Sequence, residues 1–200
     1  MRSKNLAIVF AALVVIAGAV AAGVRAEGEL TAPAIGSTID DFTLPDVDNK
    51  EHSLKSLAGK NGTVILFIAV QCPVSNAYNE RMAKLAEDYN AKGIAVIGIN
   101  SNVAEDAAVV KAHAIEHKLS FPILKDSGAR IADKFGAAVT PEAYFIDQNN
   151  KLLYHGRIDN SRNAAQVETN DLRNALDAAL SGKAIEKTEA KAFGCTIKRG

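Results

Sequence analysis

The sequence predicts an α/β fold in which a mixed β-sheet lies between helices on both faces. Continuous apolar, β-branched runs at 63–70 and 94–99 predict two strands buried on both faces. Helical patterns separate these strands along the chain, which favours parallel pairing. Two later apolar runs around a polar turn add antiparallel strands. The predicted element order is therefore β-α-β-α-(α)-β-β-α.

A small N-terminal β-hairpin is expected ahead of the first core strand. Residues 42–44 form its first arm, and the polar stretch 46–50 forms its turn. Residues 53–57 continue the hairpin until a second turn at 59–62 leads into the core strand.

The intervening segments predict the helices. Spacing of apolar residues predicts one helix from Pro73 to about Lys92 and a second over 106–118. Residues 128–135 predict a short helix, and 168–180 predict a final helix that stops before a glycine. The stripe of the first helix comprises Tyr78, Met82, Leu85, Ala86 and Tyr89.

The end of the chain predicts a hairpin, a helix and a tail. Apolar runs at 143–146 and 151–155 flank a polar turn, a pattern typical of a β-hairpin. Residues 183–200 follow the last helix and predict an irregular tail that carries Cys195.

The N-terminus has the pattern of an export signal. Arg2 and Lys4 precede an uncharged apolar stretch, 6–22, and small residues at 24–26 suit a signal peptidase. We therefore expect a signal peptide over 1–26 and a periplasmic or extracellular protein. The alternative is an uncleaved membrane anchor through the same stretch, which is close to the roughly 20 residues that span a bilayer.

Composition narrows the class of partner. The chain carries 23 basic and 23 acidic residues, and loss of the signal would leave it slightly acidic. Such a domain is not expected to bind nucleic acid, and it has no basic amphipathic face for a membrane surface. Two cysteines are too few for a disulfide-stapled scaffold, but an exported protein sits where disulfides persist.

Cys72 lies where the first core strand should end and the first helix should begin. Pro73 suits the first helical position, so Cys72 would be the N-cap. Free N–H groups and the helix dipole at that end would lower the pKa of its thiol, and the sheet edge would expose it. The alternative is a small buried hydrophobic residue. The polar neighbours Gln71, Ser75 and Asn76 favour the reactive thiol.

Three segments together resemble the thioredoxin-like redoxins of the alkyl hydroperoxide reductase and thiol-specific antioxidant type. They are DFTLPD at 41–46, the strand–Cys-Pro–helix step, and VTPEAYFID at 139–147. The resemblance covers roughly 36–180. It implies a thioredoxin-like three-layer sandwich over 27–182, followed by the tail 183–200. It is more specific for this fold than for one reaction.

Two positions depart from the patterns of the resembled families. Ser75 stands where thioredoxin-like oxidoreductases carry the second cysteine of Cys-x-x-Cys. Ala69 stands where peroxiredoxins place a threonine whose hydroxyl helps to hold peroxide. The sequence is most similar to a peroxiredoxin-like subgroup with a single Cys-Pro motif and a C-terminal Gly-Cys.

The resemblance implies further site residues. Pro141 would be a cis-proline facing the reactive cysteine, and the backbone of Thr140 would pair with an extended substrate. A trans-proline that opens a strand is the alternative. Peroxiredoxins place an arginine near the cysteine, and Arg157 ranks first here, although a surface arginine is the simpler interpretation.

Cys195 has several possible roles. Gly194 permits a sharp bend beside it, and a bridge to Cys72 needs Cα atoms within about 7 Å. It would then resolve a disulfide or sulfenate on Cys72. A structural disulfide, an intermolecular bridge and a free thiol remain alternatives.

These features predict an exported thiol–disulfide oxidoreductase. Its substrates would be protein or small-molecule thiols and disulfides, its electrons would come from a thiol donor, and no bound cofactor or metal is required. One alternative is a peroxiredoxin-type thiol peroxidase. Another is a non-catalytic module in which Cys72, Cys195 and His155 bind copper.

Overall fold

The computed structural model describes residues 30–200, so the predicted signal peptide over 1–26 and the alternative anchor at 6–22 lie outside the described residues. A six-stranded mixed sheet forms the centre. Strand β3 (Gly62–Phe67) pairs in parallel with β4 (Ile94–Asn100) and antiparallel with β7 (Glu142–Ile146), which confirms the predicted mixed sheet. In spatial order the strands are β5 (Ile123–Lys125), β4 (Ile94–Asn100), β3 (Gly62–Phe67), β7 (Glu142–Ile146), β8 (Leu152–Gly156) and β9 (Glu189–Ala190).

Helices cover both faces of this sheet. Along β3, Val64 and Leu66 join one apolar cluster with α3 (Asn79–Asn90) and α6 (Asp171–Leu180). Ile65 and Phe67 join a second cluster with α1 (Leu54–Leu57) and α5 (Arg130–Phe135). The continuous apolar run therefore reflects burial on both faces, and the predicted three-layer fold is confirmed. The helices are α1 (Leu54–Leu57), α2 (Pro73–Asn76), α3 (Asn79–Asn90), α4 (Ala107–Glu116), α5 (Arg130–Phe135) and α6 (Asp171–Leu180).

The N-terminal hairpin is present but shorter than predicted. Strands β1 (Thr43–Pro45) and β2 (Glu51–Ser53) pair antiparallel. The prediction that 53–57 continues the hairpin is wrong, because the Ser53 hydroxyl accepts the N–H of Ser56 at 3.0 Å and so caps α1.

The predicted helix from Pro73 to Lys92 is two helices. The N–H of Tyr78 donates to the Ser75 carbonyl at 2.9 Å. This hydrogen bond to the third preceding residue is of the 3₁₀ type and tightens the chain between α2 and α3. The predicted apolar stripe is nevertheless buried throughout. Consequently α2 is a single helical turn that begins directly after Cys72.

The tail after α6 is not irregular, because it contributes two strands. Strand β9 extends the central sheet beside β8, and β10 (Cys195–Thr196) pairs antiparallel with β6 (Val139–Thr140). Gly156 allows β9 to approach, since a Cβ at Gly156 would lie 1.9 Å from the Ala190 carbonyl oxygen. Within residues 30–200, no helix has both the length and the apolarity to cross a membrane.

Candidate active site

Cys72 is the N-cap of α2, with Pro73 at the first helical position. It follows the end of β3, so the sequence order of strand, cysteine and helix sets its place at the sheet edge. The expected exposure is wrong, since only 2% of Cys72 is accessible. The segment Thr140–Pro141 and the tail strand β10 cover it.

The sulfur of Cys72 lies among hydrogen-bonding groups. It accepts the N–H of Ser75 at 3.2 Å, and its S–H donates to the carbonyl oxygen of Thr140 at 3.2 Å. Cys195 lies beside it, since both cysteines line one small cavity. Both cysteines are free thiols in the structure.

Burial alone would raise the pKa of Cys72, but hydrogen bonding outweighs it and the pKa lies below its ordinary value. The groups responsible are the Cys195 thiol, the Thr140 hydroxyl and the N–H groups of Ser75 and Cys195. The pKa of Cys195 is raised, chiefly by its hydrogen bond to Cys72 and by burial. Cys72 therefore ionises first, and Cys195 remains the proton-bearing partner.

The source of this low pKa is only partly the predicted one. The dipole of a long helix was expected, but α2 has only four residues, and aligned peptides in one turn sum to little. The predicted N–H groups do act on the sulfur, after the side chains of Cys195 and Thr140. The N–H groups of Ser75 and Val74, both in α2, point at the sulfurs of Cys72 and Cys195, respectively.

Ser75 replaces the second cysteine of a Cys-x-x-Cys motif with a structural hydroxyl. Its side chain is 1% exposed, and its Oγ accepts the N–H of Ala69 at 3.2 Å. Ser75 thus fastens the end of the β3 segment to α2. The second thiol near Cys72 comes from the tail instead.

The Thr140–Pro141 peptide is cis and lies beside the cysteines. The edge at Thr140 where a substrate strand was expected is occupied by the tail, with Cys195 opposite Thr140 and Thr196 opposite Val139. The N–H of Ile197 continues the ladder to the Ala138 carbonyl at 3.0 Å. The structure therefore brings Cys72, Thr140 and Cys195 together.

Glu105 is a site residue that sequence reasoning missed. Its carboxylate is buried and accepts the N–H groups of Val70 and Gln71 at 2.9 and 2.8 Å, immediately before Cys72. Burial alone would raise the pKa of Glu105, but these donors and two asparagine amides hold it below its usual value. Asn102 is one of them, and its Oδ1 accepts the N–H of Lys198 at 2.7 Å. One charged group therefore links the Cys72 loop to the tail.

Glu142 was also missed by the sequence analysis, and its carboxylate contacts His155, one of the residues proposed to bind copper. The Glu142 carboxylate accepts the N–H groups of Ala138 and Val139 and lies 2.6 Å from Nε2 of His155. The His155 ring stacks on Tyr144. Among residues 30–200 no three histidine, cysteine or acidic side chains gather as a metal site. The structure therefore does not place His155, the example given for the third copper ligand, beside the two cysteines.

Arg157 does not contact the thiolate. Its Nε donates to Asp171 Oδ2 at 2.7 Å, and its Nη2 lies 3.5 Å from the Thr169 hydroxyl. The guanidinium thus holds α6 to the chain after β8. Arg157 is therefore neither a partner of Cys72 nor a free surface arginine, because it is partly buried and ion-paired with Asp171.

A small cavity of about 120 Å³ reaches both sulfurs. Its lining also includes Gln71, Asn102 and Glu105. This volume admits a small molecule but no polypeptide while the tail is in place. A larger cavity of about 620 Å³ lies between α4 and the hairpin β1–β2, and neither cysteine lines it.

A sheet with helices on both faces and a cysteine at a helix start, beside a cis-proline, defines a thioredoxin-like redoxin. A family model described as AhpC/TSA family matches residues 35–155, which is more than half of the chain. The chain belongs to the AhpC/TSA family. The family resemblance inferred from the motifs is thereby confirmed.

The similar proteins include both thiol-disulfide oxidoreductases and peroxiredoxins. The chain is 32% identical over 124 residues to the thiol-disulfide oxidoreductase ResA of Geobacillus thermodenitrificans, covering 62% of this chain and 70% of that protein. It is 30% identical to chloroplastic peroxiredoxin Q of wheat, Triticum aestivum, covering 60% of this chain and 57% of that protein. A crystal structure of a hypothetical protein from Sinorhizobium meliloti 1021 shares 35% identity with a TM-score of 0.79, covering 85% of this chain and 97% of that one.

Proposed function

We propose that this protein is an exported thiol–disulfide oxidoreductase that acts through Cys72 and Cys195. The observation that carries the proposal is that both cysteines line one small cavity beside α2, with Cys195 opposite Thr140 and the Cys72 S–H donating to the Thr140 carbonyl. The lowered pKa of Cys72 and the raised pKa of Cys195 agree with it. Such a pair distinguishes an attacking thiolate from a resolving thiol. The ResA relative supports the same class of reaction.

The reaction has two exchange steps. The Cys72 thiolate attacks one sulfur of a substrate disulfide, whose S–S bond breaks and whose other sulfur leaves as a thiolate. Cys195 then loses its proton and attacks the Cys72 sulfur, which releases the substrate as a second thiolate. The substrate gains two electrons, and the protein holds a Cys72–Cys195 disulfide that an external thiol donor reduces.

Mass spectrometry of the purified protein, with and without reductant, tests both the site and export. We expect an oxidised form that is lighter by two hydrogens, with Cys72 and Cys195 in one linked peptide, and an N-terminus at residue 27. Absence of the linked peptide after treatment with a small disulfide would refute the resolving role of Cys195. A retained N-terminal segment would instead favour the membrane anchor at 6–22.

A thiol peroxidase is the second candidate, favoured by the wheat relative and by the cavity of about 120 Å³ at the sulfurs. Ala69 argues against it, because it supplies no hydroxyl to hold peroxide. Stopped-flow mixing of reduced protein with hydrogen peroxide separates the two functions. Reaction no faster than that of free cysteine excludes the peroxidase and leaves disulfide exchange intact.

A further inference from the structure

The tail segment 193–197 lies in the groove at Cys72 in the way a bound polypeptide would. Strand β10 pairs antiparallel with β6 and places Cys195 opposite Thr140, whose carbonyl accepts the Cys72 S–H, so that both cysteines line one cavity. The segment reads Phe-Gly-Cys-Thr-Ile, and each of its positions meets a distinct environment.

Aromatic and aliphatic anchors lie on either side of the cysteine. The ring of Phe193 packs edge-on to Tyr78, with centroids 6.3 Å apart, and Arg81 holds that tyrosine by stacking 3.6 Å from its ring centre. Ile197 is 3% exposed within the apolar cluster on the other face of the sheet. The groove therefore offers two apolar subsites, two residues before and two residues after the cysteine.

The position before the cysteine accepts only glycine. A Cβ on Gly194 would lie 1.9 Å from the carbonyl oxygen of Thr140, and that oxygen belongs to backbone that cannot yield as a side chain would. Thr196, in contrast, is exposed. The groove therefore fits a five-residue segment with, in order, an aromatic residue, glycine, cysteine, any residue and an aliphatic residue.

We infer that the groove binds extended segments of other proteins with the pattern aromatic-Gly-Cys-x-aliphatic, for which the protein's own tail is an internal copy. The inference rests on the proposed function, since the bound cysteine is the one that exchanges with Cys72. A substrate segment must displace the tail, and the tail's covalent attachment gives it an effective concentration of about millimolar. Only segments that match the same subsites compete with it.

The test uses the full chain with Cys195→Ser and a peptide of sequence AKAFGCTIKR, whose thiol is joined to a coloured nitrothiobenzoate. The Cys72 thiolate attacks the peptide sulfur, the S–S bond breaks, and the aryl thiolate leaves with the electron pair because it is the weaker base. Released colour gives the second-order rate constant. The same aryl disulfide of free cysteine reports the reactivity of Cys72 without any groove contact.

Three matched peptides separate the subsites. Alanine in place of both phenylalanine and isoleucine, or in place of glycine alone, should lower the rate about tenfold or more, whereas alanine in place of threonine should leave it unchanged. Equal rates for all peptides, with normal reaction of the cysteine probe, would overturn the inference and leave the proposed function standing. No reaction with any probe would overturn both. A dimer of the Cys195→Ser chain with exchanged tails would instead make a second copy the partner and overturn the choice of other proteins.

Phe193→Ala with Ile197→Ala, added to the Cys195→Ser chain, provides an independent check. Loosening the tail should raise the rate with the native peptide, because the competitor in the groove is weakened. Loosening the tail also uncovers Cys72 for the small cysteine probe, so the peptide rate is compared with the probe rate of the same variant, and we expect their ratio to rise. The circular dichroism spectrum shows whether the fold is intact. An unchanged ratio in a folded protein would contradict competition by the tail.

Discussion

At the scale of single residues, the site depends on which sulfur carries the negative charge. Cys72 receives N–H groups from α2 and from the tail, whereas its own S–H points at the Thr140 carbonyl. Ionisation removes that S–H bond and leaves the sulfur beside a carbonyl oxygen, a cost that the remaining donors must exceed. The Cys195 thiol is the first of these donors.

Removal of the donor on residue 195 should therefore raise the pKa of Cys72. In Cys195→Ala and Cys195→Ser, Cys72 is the only cysteine, so the ultraviolet absorbance of the thiolate against pH reports it alone. The serine hydroxyl retains a donor and alanine does not. We expect the alanine variant to ionise at a pH higher by about one unit, which corresponds to about 1.4 kcal/mol. Identical curves would mean that the side chain at 195 does not stabilise the thiolate.

Gly194 permits the approach of the tail to Thr140, so Gly194→Ala should detach β10. We expect the Cys72–Cys195 disulfide to form about tenfold more slowly with a small disulfide oxidant, because the local concentration of the second thiol falls. Quenched, non-reducing mass spectrometry measures the rate. Gly128→Ala is the control, since a Cβ there meets only the flexible side chain of Arg130 at 3.6 Å. Equal rates for both variants would contradict the tight approach seen at Gly194.

At the scale of elements, the loop between β3 and α2 depends on a carboxylate from a different loop. Glu105 accepts two consecutive N–H groups of that loop, and Asn100 donates to it at 2.5 Å. A buried group that satisfies several donors is costly to remove, because each donor left unpaired loses its solvation as well. The conformation of the Cys72 loop therefore depends on Glu105.

Glu105→Gln should lower the free energy of unfolding by about 2 kcal/mol at neutral pH. The NH₂ group of the glutamine side chain would face the N–H groups that Glu105 accepts and could not accept their hydrogen bonds. The folded-state pKa of Glu105 lies below its unfolded value, so its contribution is present above about pH 4.3 and is lost as the pH falls through the folded pKa. Urea unfolding of both proteins over this range should show the difference shrinking in acid. The exposed Glu168→Gln serves as control, and a difference that is constant with pH would contradict an ionised Glu105.

The elements that the sequence predicted are those with local patterns. Strand β3 and the hairpin of β7 and β8 follow from apolar runs and a polar turn, and the short helix predicted over 128–135 corresponds to α5. The strands β9 and β10 have two residues each and no periodicity, so only their partners define them. Glu105 had no signal either, because a carboxylate that binds backbone N–H groups far along the chain resembles a surface acid in sequence. Glu142 binds N–H groups only three and four residues away, but its burial and its contact with His155 depend on the folded sheet.

At the scale of the whole molecule, the tail joins parts that are distant in sequence. Phe193 packs on one apolar cluster and Ile197 belongs to the other, while Arg199 reaches Asp133 with its Nε at 2.7 Å and the Ala137 carbonyl with its Nη2 at 2.7 Å. Cys195 lies between these anchors. The two thiols are therefore brought together by the complete fold and not by a local motif.

A bond between Cys72 and Cys195 should stabilise the whole molecule, because it closes a loop that includes most of the domain in the unfolded chain. Disulfides typically add about 2 to 4 kcal/mol to the free energy of unfolding, and because this loop is long we expect a gain of about 4 kcal/mol. Urea unfolding followed by circular dichroism, a suitable probe for a chain without tryptophan, should show a higher midpoint for the oxidised than for the reduced protein. Cys72→Ser and Cys195→Ser should each abolish the difference.

Thermodynamic linkage between folding and disulfide formation sets the reduction potential that the electron donor must reach. Stabilisation of the fold by the disulfide equals stabilisation of the disulfide by the fold, so 4 kcal/mol lowers the reduction potential by about 90 mV relative to the unfolded chain. Equilibration with glutathione or dithiothreitol buffers, resolved by mass spectrometry, measures that potential directly. We expect Gly194→Ala to raise the potential and to lose the oxidised-state stability together, since both depend on the docked tail. A potential that changes without the stability would show that the tail acts on the sulfurs alone and not through the fold.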